Sequence, residues 1–572
     1  MFLAGIVGLG WAEAVRPPAL PFALLIGGIA VAFVILLVRH VRIRGRLRHL
    51  EAVWRVNDEA AHRAERAWSR LPALDGWAAP PEHPYADDLD LFGRASVFQL
   101  LGGVASVPGR KAVAAWLLDG GPPARVAERQ QAVQALARER EFRDRLAVAA
   151  RLADASTAER LEGFLAWAEA EPWLAPRPAL RWAARGLAPL TLLLLVLHLG
   201  GVTAIAWWIV PVLINVLITV RVRRAIHGVF RRAGAGDRAF RAYAKMLQVA
   251  NELDGGDTPW IVEAKRTWGG HQHPPHVEMT RLLQILAAAD NRFSQLYPII
   301  QGLFLWDIHV LDFLERWQQR CGRDARRWIA TLGELEGLCG LARLADDHPD
   351  WTFPAITDET ILRAEGIGHP LMHPGRAVTN DVTIGPRGTF LLVTGSNMSG
   401  KSTLLRAIGV NTVLGLAGGP VCAQRLELPQ VRVWTSMRVR DSLDQGVSYF
   451  MAGLRRLKAV VEAARDNGAA RPPVLFLLDE ILQGTNTAER LVAVRGVVSE
   501  LVERGAIGAV TTHDLALAEA PELKDTLEAV HFTESFQPGP NGGITFDYKL
   551  RPGVATSRNA LRLMELMGLR HP

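Results

Sequence analysis

Thr389-Phe-Leu-Leu-Val-Thr-Gly-Ser-Asn-Met-Ser-Gly-Lys-Ser-Thr403 is a short apolar run that breaks into Gly395-x-x-x-x-Gly400-Lys401-Ser402. The two glycines let backbone N–H groups from Gly395, Ser396, Asn397, Met398, Ser399 and Gly400 close around phosphate oxygens. Lys401 can reach the β- and γ-phosphates and the Ser402 hydroxyl suits Mg²⁺, while Thr403 opens a helix whose N-terminus faces the nucleotide. Phe390 to Thr394 reads as a buried parallel strand and Thr403 to Val413 as that helix. Strand, loop and helix in this order are the setting a phosphate-binding loop requires, which a chance Gly/Ser turn does not supply.

The neighbouring sequence supplies the rest of a nucleotide site. From Asp346 the composition changes, and Asp346-Asp-His-Pro-Asp-Trp-Thr-Phe-Pro354 marks the start of an α/β domain. Val474-Leu-Phe-Leu-Leu-Asp479-Glu480 is an apolar strand ending in two carboxylates, at the sheet edge where ligands of such sheets bind. Asp479 can hold Mg²⁺ while Glu480 polarises the attacking water. Gly484-Thr-Asn-Thr487 follows as a polar loop, and Ala506 to Val510 is a further strand, ended by Thr511-Thr-His513-Asp514. His513 is placed to sense the γ-phosphate; a lone histidine is structural more often than not, and only its position at this edge argues otherwise.

At 572 residues and 49% hydrophobic, the chain has material for two or more domains. Cys321, Cys339 and Cys422 lie far apart and match no metal or redox spacing, so they read as thiols in a reducing compartment. The formal charge of +7 suggests nucleic acid, but Arg39, Arg42, Arg44, Arg46 and Arg48, with Arg221, Arg223, Arg224, Arg231 and Arg232, exceed that surplus in two segments that lack acids. Both segments follow apolar runs. Ala19 to Val38 is uncharged and long enough to cross a bilayer, with one arginine before it and five after, which predicts a cytoplasmic continuation and an outside N-terminus. A basic n-region and a small-residue cleavage site, the marks of a signal peptide, are not evident there. Gly186 to Val220, between Arg185 and Arg221, reads as a helical hairpin turning near Gly200-Gly201. Trp207-Trp208 and Pro211 then fall mid-arm, so a re-entrant turn and a buried soluble helix pair stay open.

Leu71 to Pro84 is proline-rich and reads as a linker. An Ala/Arg/Glu-rich helical tract runs from Leu89-Asp-Leu-Phe-Gly93 to about Trp173, with Gly109 to Leu118 and Arg129-Gln-Gln-Ala-Val133 predicting two helices joined at Gly120-Gly-Pro-Pro123. Gly234 to Asp346 is again helical, broken at Gly269-Gly-His-Gln-His-Pro-Pro-His276, whose histidines lack a carboxylate or cysteine to complete a metal site. Arg138, Arg140, Arg143 and Arg145 alternate with Glu139, Glu141 and Asp144, the pattern of a solvated face.

Gly395-Ser-Asn-Met-Ser-Gly-Lys-Ser-Thr403, Asp441-Ser-Leu-Asp-Gln-Gly-Val-Ser448-Tyr-Phe-Met451, Leu478-Asp-Glu-Ile-Leu-Gln-Gly-Thr485 and Thr512-His513 together strongly resemble the MutS family of mismatch-repair ATPases, relatives of the ABC ATPases. His369-Pro370 and Asn380-Asp381 sit upstream as in that family, and the segments from Leu89 to Val133 and at Glu334-Leu-Glu336 resemble its helical core and lever. The subgroup it looks most like is the membrane-anchored MutS-related proteins. The resemblance implies ATP and Mg²⁺ as cofactors, a homodimer, and a Ser448 that closes in trans on the γ-phosphate at the partner's Lys401. It covers about residues 85 to 570 and has departures. Neither a mismatch-recognition domain, a Phe-x-Glu wedge nor a nuclease-like domain is evident, Ala377-Val378 stands where the family offers an aromatic for adenine, and the apolar segment interrupts the lever near the place of the DNA clamp.

The expected architecture is multidomain: transmembrane helices, an all-α core/lever domain and a C-terminal α/β ABC-type P-loop ATPase domain. Its parts are a membrane anchor with a basic juxtamembrane helix (1–70), a linker (71–84), a helical core/lever in two pieces (85–185 and 221–345) around a transmembrane hairpin (186–220), and the ATPase domain (346–572). The expectation is a multi-pass protein of a bacterial-type inner membrane with its soluble domains in the cytoplasm. In it Lys401, Glu480, His513 and Ser448 carry catalysis, and Ser402 and Asp479 hold the metal. Two readings of the work done stand side by side. Either ATP controls closure on DNA, or the levers act on the bilayer or a protein partner without specific mismatch recognition.

Overall fold

The computed structural model describes residues 19–72, 79–80, 82–153, 158–234, 239–254, 256–269, 274–438, 449–466, 471–482, 487–536 and 544–555. Two compact units make up the chain, residues 1–59 and 60–572. The described part of the first is helix, within α1 (Ala19–Ala64). Its apolar side chains from Leu24 to Val38 stand largely exposed, the arrangement of a helix whose apolar surface is covered by something other than its own fold. Leu24–Ala64 and Pro178–Leu199 are long and apolar enough to cross a membrane.

The second unit opens with short helices whose starts are written in the sequence. Ser96 accepts from the Gln99 N–H to cap α2 (Val97–Leu101), and Ser106 accepts from Gly109 to cap α3 (Val107–Asp119). Gly120, at φ 64°, ends α3, and proline opens α4 (Pro123–Ala137). Then come α5 (Arg140–Ala153), α6 (Ala158–Glu169), α7 (Pro178–Leu199), α8 (Ile209–Arg232), α9 (Ala239–Asn251), α10 (Pro259–Gly269), α11 (Pro275–Ala289), α12 (Tyr297–Phe304) and α13 (Trp306–Asp347). The break expected near Gly200-Gly201 is the segment between α7 and α8, and α7 itself begins eight residues before Gly186.

Helix α13 is the spine of this half. Its 42 residues make a rod of about 63 Å at 1.5 Å per residue. Neighbours pack along its length: Trp317 and Trp328 are buried against them, and at Gly333 and Gly337 an added Cβ would come within 2.5 Å of Pro108 and 2.7 Å of Trp116. Two buried carboxylates on the rod gather loops from other helices. Glu315 accepts from the N–H groups of Leu174 and Ala175 at 2.5 and 3.0 Å. Glu336 accepts from Ala105 and Ser106 at 2.6 and 3.0 Å, and from the Ser106 hydroxyl.

The arginine run on α5 corrects the solvated-face reading in part. Arg140 remains exposed, but the Arg143 side chain is buried and lies 2.7 Å from Asp346, which Arg140 also meets at 2.9 Å. Residues three apart share a helix face, and this one points at the C-terminal end of α13. The proline-rich linker is also pinned at its ends: Gln99 donates to the Pro72 carbonyl, Thr435 N–H to Pro84 and Arg456 to His83.

The remaining chain is α/β. Strands β1 (Ala355–Thr357), β2 (Leu362–Ile367) and β3 (Asn380–Ile384) precede β4 (Phe390–Thr394) and α14 (Lys401–Leu416), followed by β5 (Arg425–Pro429), β6 (Arg432–Ser436) and α15 (Tyr449–Arg465). Then follow β7 (Val474–Asp479), α16 (Thr487–Glu503), β8 (Ile507–Thr512), β9 (Leu527–Phe536) and β10 (Ile544–Pro552). One sheet has the order β1-β5-β2-β3, the other β10-β9-β4-β8-β7-β6. In the second, every pairing is parallel except β9 with β10. All five residues of β4 are buried, as a strand covered on both faces requires. The helix after the loop starts at Lys401, two residues earlier than the sequence suggested.

Glu336→Ala would leave the buried Ala105 and Ser106 donors without an acceptor, at a cost of about 2–4 kcal/mol. Glu336→Gln keeps one carbonyl acceptor and should cost less; urea unfolding of both variants measures the difference.

Candidate functional site

Strand β4 delivers its chain to the edge of the sheet and the backbone then turns through conformations that favour glycine. Gly395 and Gly400 have φ of 143° and 108°, and a Cβ on Gly395 would stand 2.9 Å from the Ser399 hydroxyl. Met398 adopts φ 68° and is 85% exposed at the crest of the loop. Beneath it Lys401 is nearly buried. Its ammonium donates to the carbonyls of Gly395 and Ser396 at 2.9 and 2.8 Å and lies 3.4 Å from Glu480.

The two carboxylates are set by β7 and its neighbour β8. The Thr511 hydroxyl donates to Asp479 and accepts from the Glu480 N–H at 3.0 Å, locking both backbones. Glu480 turns out of the strand at φ 42°. One of its oxygens faces Lys401 and the other lies 4.0 Å from the half-exposed His513 imidazole.

Loop, lysine and carboxylates open into one cavity of about 790 Å³, within the range that holds a nucleotide-sized ligand. It is lined by the loop from Asn397 to Leu404, by Asp479 and Glu480, and on the far wall by His369, Arg376, Val378, Phe532 and Tyr548. The chemistry fits a triphosphate with its metal. The buried hydroxyls of Ser396 and Ser399 have no hydrogen-bond partner among the described residues, and Ser399 lines the cavity with Lys401. Ser402 and Asp479 line the same cavity and would hold Mg²⁺, which supplies charge neutralisation on phosphate oxygens.

Tyr548 escaped the sequence reading. It sits at φ 53° where the register of β10 against β9 shifts between Phe546 and Leu550. Asn380 holds this bulge from both sides, donating to the Tyr548 carbonyl at 3.0 Å and accepting from Leu550 N–H at 2.8 Å. The ring edge would be 3.2 Å from a Cβ on Gly400. An aromatic therefore lines the cavity beside Val378. Its position follows from Asn380, a contact across 168 residues that no local sequence pattern reports.

Helix α14 is gripped by the helical half at both ends. Near its start Asp90 faces Arg406 at 4.0 Å and Arg438 at 2.6 Å, and Asp88 accepts from Thr435, Met437 and Arg438 at 2.6, 3.1 and 2.9 Å. Leu89 packs onto Gly409, where a Cβ would come within 2.6 Å. Beyond its end Arg129 donates to the Ala417 and Gly120 carbonyls at 3.3 and 3.1 Å, a cation at the negative end of the helix. Burial pushes the Arg129 guanidinium down to about 10, so it stays charged at neutral pH.

Of the expected site residues, the structure brings together Gly395 to Thr403, Asp479 and Glu480, with His513 at the outer side of Glu480. Ser448, the Gly484-Thr485-Asn486 part of the polar loop, and His271 and His273 lie outside the described residues.

Residues 391–571 match the family described as MutS domain V. The chain is similar to the DNA mismatch repair protein MutS 2 of Halobacterium salinarum, 33% identical over 265 residues, which is 45% of this chain and 29% of the relative. It is also similar to the DNA mismatch repair proteins MutS of Shouchella clausii, 30% identical over 43% of this chain and 28% of the relative, and of Rhodopirellula baltica, 32% identical over 42% and 26%. The matched stretch thus spans less than a third of these relatives' length.

Burial, with Arg406 adding to it, pushes the His369 imidazole down to about 4 from 6.5. The folded protein then keeps it neutral while the unfolded chain takes up a proton. Its contribution to stability is complete above pH 6.5 and is lost as pH falls towards 4, up to about 3 kcal/mol. Wild type should lose more stability than His369→Gln between pH 7.5 and 5 in urea titrations; parallel losses would show that His369 is not the titrating group.

Proposed function

We propose that this protein is a MutS-family ATPase that works at a membrane, in which closure of two copies around ATP moves the helical half. The observation that carries the reading is the Lys401 ammonium, buried beneath a glycine loop and pointed at Glu480, in one cavity with Asp479 and Ser402. The loop N–H groups and Lys401 bind the phosphates. Glu480, whose carboxylate stands between Lys401 and His513, orients a water for in-line attack on the γ-phosphorus. Tyr548 offers its ring to the adenine. The exposed Met398 at the loop crest is an apolar surface suited to a second copy, and the resemblance assigns the trans contact to Ser448.

The alternative to DNA as the object of this cycle is supported by the arginines of the helical half. Arg140 and Arg143 pair with Asp346, Arg145 with Glu252, Arg326 with Glu162 and Glu169, and Arg343 with Asp144. A clamp on DNA needs uncompensated cations along a channel, whereas these are spent on other helices. We therefore favour levers that act on the bilayer or on a protein partner, with only weak, salt-sensitive binding to duplex DNA and little preference for mispairs.

Helix α7 is long enough to cross a bilayer, but only part of the hairpin α7–α8 is free to enter one. Arg181 and Arg185 at its foot bind Asp312 of α13 at 2.9 and 3.1 Å, so the arm leaves the body only after Arg185. Gly186–Leu199 and Ile209–Val220 then reach about 21 and 18 Å against a bilayer core of about 30 Å. This supports a re-entrant wedge with both feet on the cytoplasmic side rather than a full crossing.

Glu480→Gln should keep ATP binding and lose roughly 100-fold or more in turnover, while Lys401→Ala should weaken binding itself. Tyr548→Ala should weaken ATP binding by about 1–2 kcal/mol with little change in the turnover of bound nucleotide. Steady-state hydrolysis and nucleotide titration measure these, and equal hydrolysis by wild type and Glu480→Gln would remove Glu480 from the mechanism. For the hairpin, a cysteine at Val202 in sealed vesicles should resist a membrane-impermeant maleimide from both sides, while one at Arg241 reacts from the cytoplasmic side. Reaction of the Val202 position from the outside would establish a crossing.

A further inference from the structure

A second cavity, of about 590 Å³, opens between α8 and α12. On α8 it is lined by Val216, Thr219, Val220, Arg223 and His227, residues at helical spacing that share one face. Along about 16 Å of that helix the wall passes from apolar to cationic. Arg292 adds a second guanidinium, stacked near the Phe230 ring at 5.8 Å. The remaining side is Tyr297, Pro298, Gln301 and Gly302.

The floor of this cavity is built rather than incidental. Asp307, buried in the first turn of α13, accepts from the Tyr297 hydroxyl at 2.6 Å and meets His227 at 3.3 Å. Its N–H donates to the side-chain amide oxygen of Gln301, and the Gln301 side-chain NH₂ donates to the Thr219 hydroxyl, both at 3.0 Å. Asn215, wholly buried, donates to the Gly302 carbonyl at 2.8 Å. Through Oδ2 the acid at the bottom meets Tyr297 and His227, while its Oδ1 is buried without a hydrogen-bond partner among the described residues; Arg223 and Arg292 are the cationic side chains on the wall. The apolar end adjoins residues with exposed side chains on α8 and at the start of α12: Leu213 and Leu217 on α8, Leu296 just before α12 and Ile299 on it are each about 60% exposed or more.

We infer that this cavity binds the phosphate headgroup of an anionic phospholipid, with Arg223 and Arg292 on the phosphate and Val216 and Val220 along the glycerol and first acyl carbons. The inference rests on the reading of the hairpin as membrane-embedded. A cationic rim joined to an apolar wall suits an amphiphile. A nucleic-acid groove would continue the cationic track instead of ending it in valines. Because the floor is the first turn of α13, a bound headgroup would register the hairpin against the rod that runs to the nucleotide domain.

The test uses the full chain reconstituted into phosphatidylcholine nanodiscs with and without phosphatidylglycerol as the minor lipid, reading the phosphatidylglycerol retained per protein by native mass spectrometry. Wild type should retain it selectively. Arg223→Gln with Arg292→Gln should lower that selectivity about 25-fold, fivefold per arginine, equivalent to about 1 kcal/mol each, and lysine at both positions should restore most of it. Arg221→Gln with Arg224→Gln removes the same charge from α8 outside the cavity and should leave selectivity nearly intact. Gly302→Leu, whose Cβ meets nothing within 4 Å, should fill the space and abolish retention without altering charge. Equal losses in the two double variants, full retention by Gly302→Leu, or displacement by inorganic phosphate or duplex DNA would overturn the site. Failure of wild type to enter either nanodisc would overturn the membrane reading and the site with it, whereas stable insertion without selectivity overturns the site alone.

Discussion

Helix α14 has its N-terminus at the phosphate loop, its flank under Leu89 and its C-terminal end under Arg129. A rigid helix held at these three places cannot shift at one without loading the others, since close-packed contacts such as Leu89 on Gly409 leave no slack. The rest of the second unit is arranged around this constraint. Asp88 and Asp90 carry it to the end of β6 through Met437 and Arg438, and α3 and α4, which Arg129 links to α14, pack on α13. Glu336 then joins α13 to the loop before α3. The phosphate loop and the position of the long rod are thereby connected through short hydrogen bonds and buried apolar contacts.

What could be read in the sequence was what is local. Gly395 to Ser402, and Asp479-Glu480 at the end of an apolar run, act through the backbone they sit on, and spacing alone is enough to place them. The helix stop at Gly120 is local in the same sense. Tyr548 is not, because its position depends on a bulge that Asn380 holds from 168 residues away. Nor is the burial of Arg143, since alternating charges describe a face and not what the face meets. The grip of Asp88 on the 435–438 segment spans some 350 residues, and no periodicity reports such a pairing.

Charge illustrates the difference between composition and position. The surplus of +7 is compatible with a nucleic-acid protein, a membrane protein or neither. Within the helical half, pairs such as Arg326 with Glu162 and Glu169, and Arg343 with Asp144, close between helices. The exposed Arg326 pairs contribute little stability each, yet they tie up a surface cation, while the Arg343 side chain is itself buried. Among the cations without acidic sequence neighbours are the ten arginines that follow the two apolar runs, with Arg177, Arg181 and Arg185 before the second, the distribution on which the membrane proposal draws.

The polar network at the foot of α8 bears on how such a protein could sense a bilayer. Asn215, Thr219, Gln301 and Asp307 lie between helices whose outer surfaces are apolar, and a buried amide or carboxylate whose partners are removed costs far more than the bond it makes is worth. The network therefore tolerates few intermediate arrangements: α8, α12 and the start of α13 must move together or break several hydrogen bonds at once. In the proposed reading, a wedge seated in lipid and a helix gripped at the phosphate loop would be two ends of one body, joined by α13. Work done by the nucleotide at one end would be delivered at the other without any flexible joint along the 42 residues between Trp306 and Asp347.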